Sequence, residues 1–141
     1  MTRGPGFFIS PKGEIIPVET SHIRTVIKNP GLFGLSSDYI ESRHTEHGEK
    51  NGTEGKAREE ILRRVMRNGW IRLRRHTNKY WSVQTGTVTE ENMGFIQNWA
   101  RKILNGESGY TENDPYMPVK IIGLEDGFNQ QFTVEELAKT H

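Results

Sequence analysis

The sequence contains no cysteine, which excludes disulfides, a thiolate nucleophile and any zinc or iron–sulfur centre built on sulfur ligands. A bound metal would have to draw on histidines and carboxylates. No window approaches the ~18 to 20 consecutive apolar residues of a membrane span, and the opening Met-Thr-Arg-Gly-Pro-Gly lacks the apolar stretch of a secretory signal. No membrane partner is expected, and the expected location is cytoplasmic. Hydrophobic residues are also scarce, at 33% against 26% charged. They nevertheless recur in spaced clusters, which argues for a folded chain with long polar loops rather than for disorder. At 141 residues, one compact domain is the expectation.

The formal net charge of +1 conceals a separation of signs. Residues 56–81 carry nine basic side chains against two acidic ones, whereas residues 104–141 carry seven acidic against two basic. A concentrated basic segment is the footprint of a polyanion binder, because neutralising phosphates releases counterions. The competing reading is a solvated face balanced by an acidic tail that folds back over it.

Along the chain, Phe7-Phe8-Ile9-Ser10 and Glu14-Ile15-Ile16 read as strands around a Pro11-Lys12-Gly13 turn. Thr20 or Ser21 caps a short helix through Lys28, and Ser36 or Ser37 caps a second that Gly48 ends. Residues 49–55 read as an exposed polar loop. The clearest helix covers residues 54–68, with Ala57, Ile61, Leu62 and Val65 on one arc and Lys56, Glu60, Arg63, Arg64 and Arg67 on the other. Arg58 falls on the apolar arc, where it reads as a structural pin in preference to a pocket residue. Residues 70–75 and 80–84 alternate as a hairpin. With Leu73 opposite Val83, one face carries Arg72, Arg74, His76, Tyr80, Ser82 and Gln84. A helix capped by Thr89 follows, then a strand over residues 119–124 and a terminal helix opened by Thr133. The expected fold is α+β, with three to four helices and two β-hairpins. Residues 1–105 form its core, and residues 106–141 an acidic extension with one strand and a short helix packed on it.

Two helices, a basic third helix and then a hairpin is the element order of a winged helix-turn-helix, in which the third helix enters a groove and the wing grips phosphates. The candidate nucleic-acid contacts are therefore Lys56, Arg63, Arg64 and Arg67 on the helix, and Arg72, Arg74, His76, Lys79 and Tyr80 on the hairpin. DNA or RNA is the expected partner.

Other chemistry is less supported. His44 and His47 lie one helical turn apart beside Glu46 and Glu49, a spacing compatible with a metal-dependent hydrolase, but they do not form an HExxH arrangement, and a solvated loop is preferred. Gly48, Gly52 and Gly55 match neither phosphate-loop pattern, so no cofactor is expected. No carboxylate sits where desolvation would tune it for catalysis. His22, next to the first helix's apolar pattern, reads as a buried hydrogen-bonded side chain rather than a general base. No catalytic residue is assigned.

The run Glu54-Gly55-Lys56-Ala57-Arg58-Glu59-Glu60-Ile61, with Gly69-Trp70-Ile71-Arg72 and Trp81-Ser82-Val83-Gln84, resembles small proteins encoded by tailed bacteriophages. Ile15-Ile16-Pro17-Val18, His22-Ile23, Asn29-Pro30 and Phe33-Gly34 belong to the same pattern, which covers residues 7–104. The resemblance implies a viral or prophage setting, hence host cytoplasm, and brings no activity or site residue with it. In that setting the alternative to nucleic acid is a host protein, an enzyme whose acidic surface the Arg/Trp/Tyr cluster would dock on.

Overall fold

The computed structural model describes residues 6–18, 20–50, 53–77, 80–86, 90–104, 118–123 and 129–133. The side chains of residues 75–77, 80–81, 103–104, 118–123 and 129–133 lie outside that description. The fold is α+β, built on one six-stranded sheet.

The chain opens with β1 (Gly6–Ile9) and β2 (Ile15–Pro17), paired antiparallel with Phe8 opposite Ile16. The turn between them is fixed by Ser10, whose hydroxyl accepts from the Lys12 and Glu14 N–H groups at 3.2 and 3.0 Å. Helix α1 (His22–Lys28) begins at Ser21, whose side chain accepts from the Arg24 N–H, and a short 3-10 turn over Pro30–Phe33 follows. Helix α2 (Ser37–Glu46) is capped in the same way by Ser36. Helix α3 (Gly55–Arg67) ends at Asn68 and leads into β3 (Ile71–Thr77) and β4 (Tyr80–Thr85). Helix α4 (Glu90–Leu104) then carries the chain to β5 (Pro118–Gly123) and β6 (Asn129–Thr133).

The strand order is β2-β1-β3-β4-β5-β6, with β4 and β5 parallel and every other pair antiparallel. The β3–β4 hairpin is therefore interior, flanked by β1 and β5, and is not a free wing. Thr133 closes β6 where the sequence suggested the start of a helix. Ladder bonds from the Gln130–Gln131 stretch to β5 decide the conformation there, and a polar strand of this kind has no apolar period to announce it. The suggested terminal helix over residues 134–139 lies outside the described residues. Residues beyond 105 thus contribute two strands to the common sheet.

Alternation along β1 sends Phe8 to one face and Phe7 and Ile9 to the other. All three are buried, so this part of the sheet is covered on both sides. Phe8 packs with Phe33 and Trp70, ring centroids 4.8 and 5.9 Å away, in a core completed by Ile23 and Val26 of α1, Ile40 of α2 and Ile61 and Val65 of α3. On the opposite face, Thr85 accepts from the Asn92 amide of α4 at 3.1 Å, which ties that helix, with its buried Ile96, Trp99 and Ala100, to the side of the sheet that carries the buried Ile71, Leu73 and Val83. Just past β4, Gly86 runs beneath α3 so closely that a Cβ there would lie 2.8 Å from the Met66 carbonyl oxygen. Only glycine permits this approach, which sets α3 directly over the sheet.

Candidate nucleic-acid interface

The apolar arc of α3 is buried as its periodicity requires, with Met66 added to Ala57, Ile61, Leu62 and Val65. The N-terminus is secured from a distance. Glu54 makes no side-chain cap, and Glu49 instead accepts from the Ala57 N–H at 3.0 Å. Its carboxylate lies against Gly55, whose φ of +65° and missing Cβ make room for it. An acidic group at this end also complements the helix dipole. Glu49 was legible only as part of a polar loop, because a cap eight residues upstream leaves no local spacing signal.

On the outer arc Lys56, Arg63, Arg64 and Arg67 are exposed. Arg64 leans over the Tyr39 ring of α2, 5.3 Å from its centroid, so part of its charge already faces an aromatic partner. Arg63 turns the other way and lines a groove of about 300 Å³ between α3 and the sheet. Arg58, Arg72, Arg74 and Gln84 line the same groove. Arg58 is thus a pocket residue, not the structural pin that its position on the apolar arc suggested. It makes no ion pair among the described residues, and the half-buried site it occupies is the gap between the helix and β3.

The β3–β4 register is the expected one through Leu73 opposite Val83, which puts Arg72 opposite Gln84 and Arg74 opposite Ser82. It then shifts between Arg75 and Thr77, so Tyr80 pairs with Thr77 rather than with His76. The nucleic-acid reading of the hairpin requires its Arg-bearing face to be exposed. Arg74 is exposed, but Arg72 is only 7% exposed and Ser82 is buried, because α3 lies across this side of the hairpin. The side chains of His76, Lys79 and Tyr80 lie outside the described residues.

Arg72 donates from Nη1 to Gln84 Oε1 at 2.6 Å, while its Nε is buried with no hydrogen-bond partner. Burial, together with the positive charges of Arg74 and Arg58, pulls its pKa down to about 10. It remains charged at neutral pH and forms no ion pair with a carboxylate among the described residues. His22 stands behind this arrangement. Its ring is buried, edge-on to Phe8 at 4.8 Å, with Nε2 3.0 Å from the Phe7 carbonyl oxygen. Burial first, and Arg72 second, push its pKa to about 3, so it is a neutral structural group.

His44 and His47 are not brought together on one ligand. His44 Nδ1 lies 3.1 Å from the Glu49 carbonyl oxygen, and His47 Nε2 bonds Glu60 of α3. Glu60 also accepts from Arg43 Nη1 at 2.8 Å, and Arg43 pairs in addition with Glu46. The Arg43 bond, followed by that of His47, lowers the Glu60 pKa. Among the described residues no three histidines or carboxylates are grouped so as to hold a metal ion. Comparison with protein-family models, curated proteins and solved structures finds no match to this chain.

Proposed function

We propose that the protein is a non-enzymatic nucleic-acid-binding module whose contact surface is the outer arc of α3 together with the groove between α3 and β3–β4. The observation that carries this reading is the convergence of Arg58, Arg63, Arg72 and Arg74 on one groove, with no ion pair to a carboxylate among the described residues. Like charges gathered on one side of a domain repel one another, and a phosphate backbone relieves that repulsion while releasing its counterions. The exposed Lys56 and Arg67 extend the positive surface along the helix.

The test is fluorescence anisotropy with short single- and double-stranded DNA and RNA at ~50 and ~200 mM salt, where four to six phosphate contacts predict an affinity loss on the order of 100-fold or more. An Arg63→Gln/Arg74→Gln variant changes two exposed side chains, so it should keep the fold and show a shallower salt dependence. Failure of every probe to bind at the lower salt would overturn the reading and turn attention to an acidic protein partner.

A further inference from the structure

This inference rests on the nucleic-acid reading and narrows it to a ligand group. We infer that the groove between α3 and the sheet is a seat for one phosphomonoester, the terminal phosphate of a strand or the phosphate of a mononucleotide, held by Arg72, Arg58, Arg63, Arg74 and the Gln84 amide.

The first argument is burial. A guanidinium carries five N–H donors and no acceptor, and Arg72 uses one of them on the neutral Gln84 oxygen while its Nε has no partner. Removing such a group from water is costly unless an opposite charge meets it. A phosphodiester backbone lying along the exposed arc of α3 stays outside the groove. Only a group that enters it reaches a side chain 7% exposed.

The second argument is charge and shape together. Four guanidinium groups line a space of about 300 Å³, at the small end of ligand pockets, which run from about 300 to 1,000 Å³. A phosphomonoester brings about −1.5 to −2 charges at neutral pH and three terminal oxygens into such a space. A diester brings one charge, two free oxygens and two ester arms that a small space must also accommodate, with Leu62 and Met66 among its lining side chains. Glu59, exposed on the helix, is the carboxylate that lines the groove, and it forms no ion pair with these arginines.

The third argument is donor polarity. Because arginine only donates, the Gln84 oxygen is the atom turned to Arg72, and the rest of that amide has only N–H groups to offer. Apart from the Glu59 carboxylate, the polar side chains lining the groove turn donors toward a ligand, which favours one that only accepts, as an ionised phosphate does. Fork-shaped guanidinium groups recognise that geometry bidentately.

The experiment measures anisotropy with one single-stranded DNA sequence bearing a 5′-phosphate, a 3′-phosphate or hydroxyls at both ends, with inorganic phosphate and a nucleoside monophosphate as competitors. One phosphorylated end should bind at least tenfold tighter than the hydroxyl strand, and inorganic phosphate should erase that difference without abolishing residual binding. Arg72→Met and, independently, Gln84→Leu should lose the preference while keeping the residual affinity. Arg72→Met is the safer variant for folding, since it removes the buried charge, whereas Gln84→Leu leaves that charge without its acceptor.

Equal affinity for all three strands overturns the phosphomonoester seat and leaves the nucleic-acid reading standing. Binding of phosphate and mononucleotide without any strand supports the seat, assigns it to a free nucleotide and overturns the nucleic-acid reading. A phosphate-end preference that survives both substitutions also overturns the seat, because the discrimination then resides elsewhere.

Discussion

Helix α3 presents arginine-rich chemistry on both of its flanks, and the two flanks are solved in opposite ways. Toward α2, Arg43 meets Glu60 at 2.8 Å and also Glu46, with His47 on the second oxygen of Glu60. Toward the sheet, Arg72, Arg58, Arg63 and Arg74 share a groove, and the hydrogen bond there goes from Arg72 to a neutral amide. The first flank is a closed network that ties two helices together. The second holds the Arg72 charge out of water without neutralising it, beside three more accessible arginines, which is poor design for stability and good design for binding an anion. Each flank also has a histidine, one beside a carboxylate and the other shielded behind a guanidinium.

The largest effect that separates the two flanks is on affinity. An Arg58→Gln/Arg74→Gln variant should weaken binding of a terminally phosphorylated strand by at least about 100-fold, taking roughly 1.5 to 3 kcal/mol for each of two charge-assisted hydrogen bonds. Arg43→Gln should leave that affinity within about twofold, because its charge is already spent on Glu60 and Glu46. Comparable losses from both would erase the distinction between the flanks.

The next effect is on stability against pH. His22 has a folded pKa of about 3 against an ordinary value of 6.5, so between those limits the unfolded chain takes up a proton that the folded chain refuses. Its contribution is intact above pH 6.5 and declines as pH falls, by about 2 kcal/mol at pH 5. Urea titrations at pH 7.5 and 5 should show this loss in the wild type. The pH dependence should be flatter in His22→Gln, and an unchanged slope would mean that other groups set it.

The smallest effect belongs to the closed network. Glu60→Gln should lower the thermal midpoint slightly and leave phosphate affinity unchanged. The drop should shrink in ~1 M salt, since the pair is exposed enough for ions to screen it. A salt-insensitive drop would point to packing lost between α2 and α3 instead.

Local signals account for most of the elements. Ser21 and Ser36 cap the helices that their positions suggested, the period of α3 gives its buried arc, and Leu73 does pair with Val83. What local signals could not convey was which elements lie across which faces. Alternation separates Arg72 from Leu73, but whether the Arg72 side meets water or a helix depends on where α3 packs, and Gly86 marks that contact only after the fold is known. The same gap explains Arg58, whose place on the apolar arc was visible while the groove beside it was not. Glu49 and β6 were hidden for a related reason: a distant cap and a polar strand are specified by their partners.

The parallel pairing of β4 with β5 also bears on the order in which the protein can be made. Every other neighbouring pair in the sheet is antiparallel, but β5 reaches β4 only after the whole of α4 has been traversed. A nascent chain emerging from the ribosome can complete β2-β1-β3-β4 while the outer edge of β4 still offers unsatisfied backbone groups. Until β5 arrives that edge is open alongside the outer edge of β2, and amide protection on β4 should lag behind β3 until the last strands arrive.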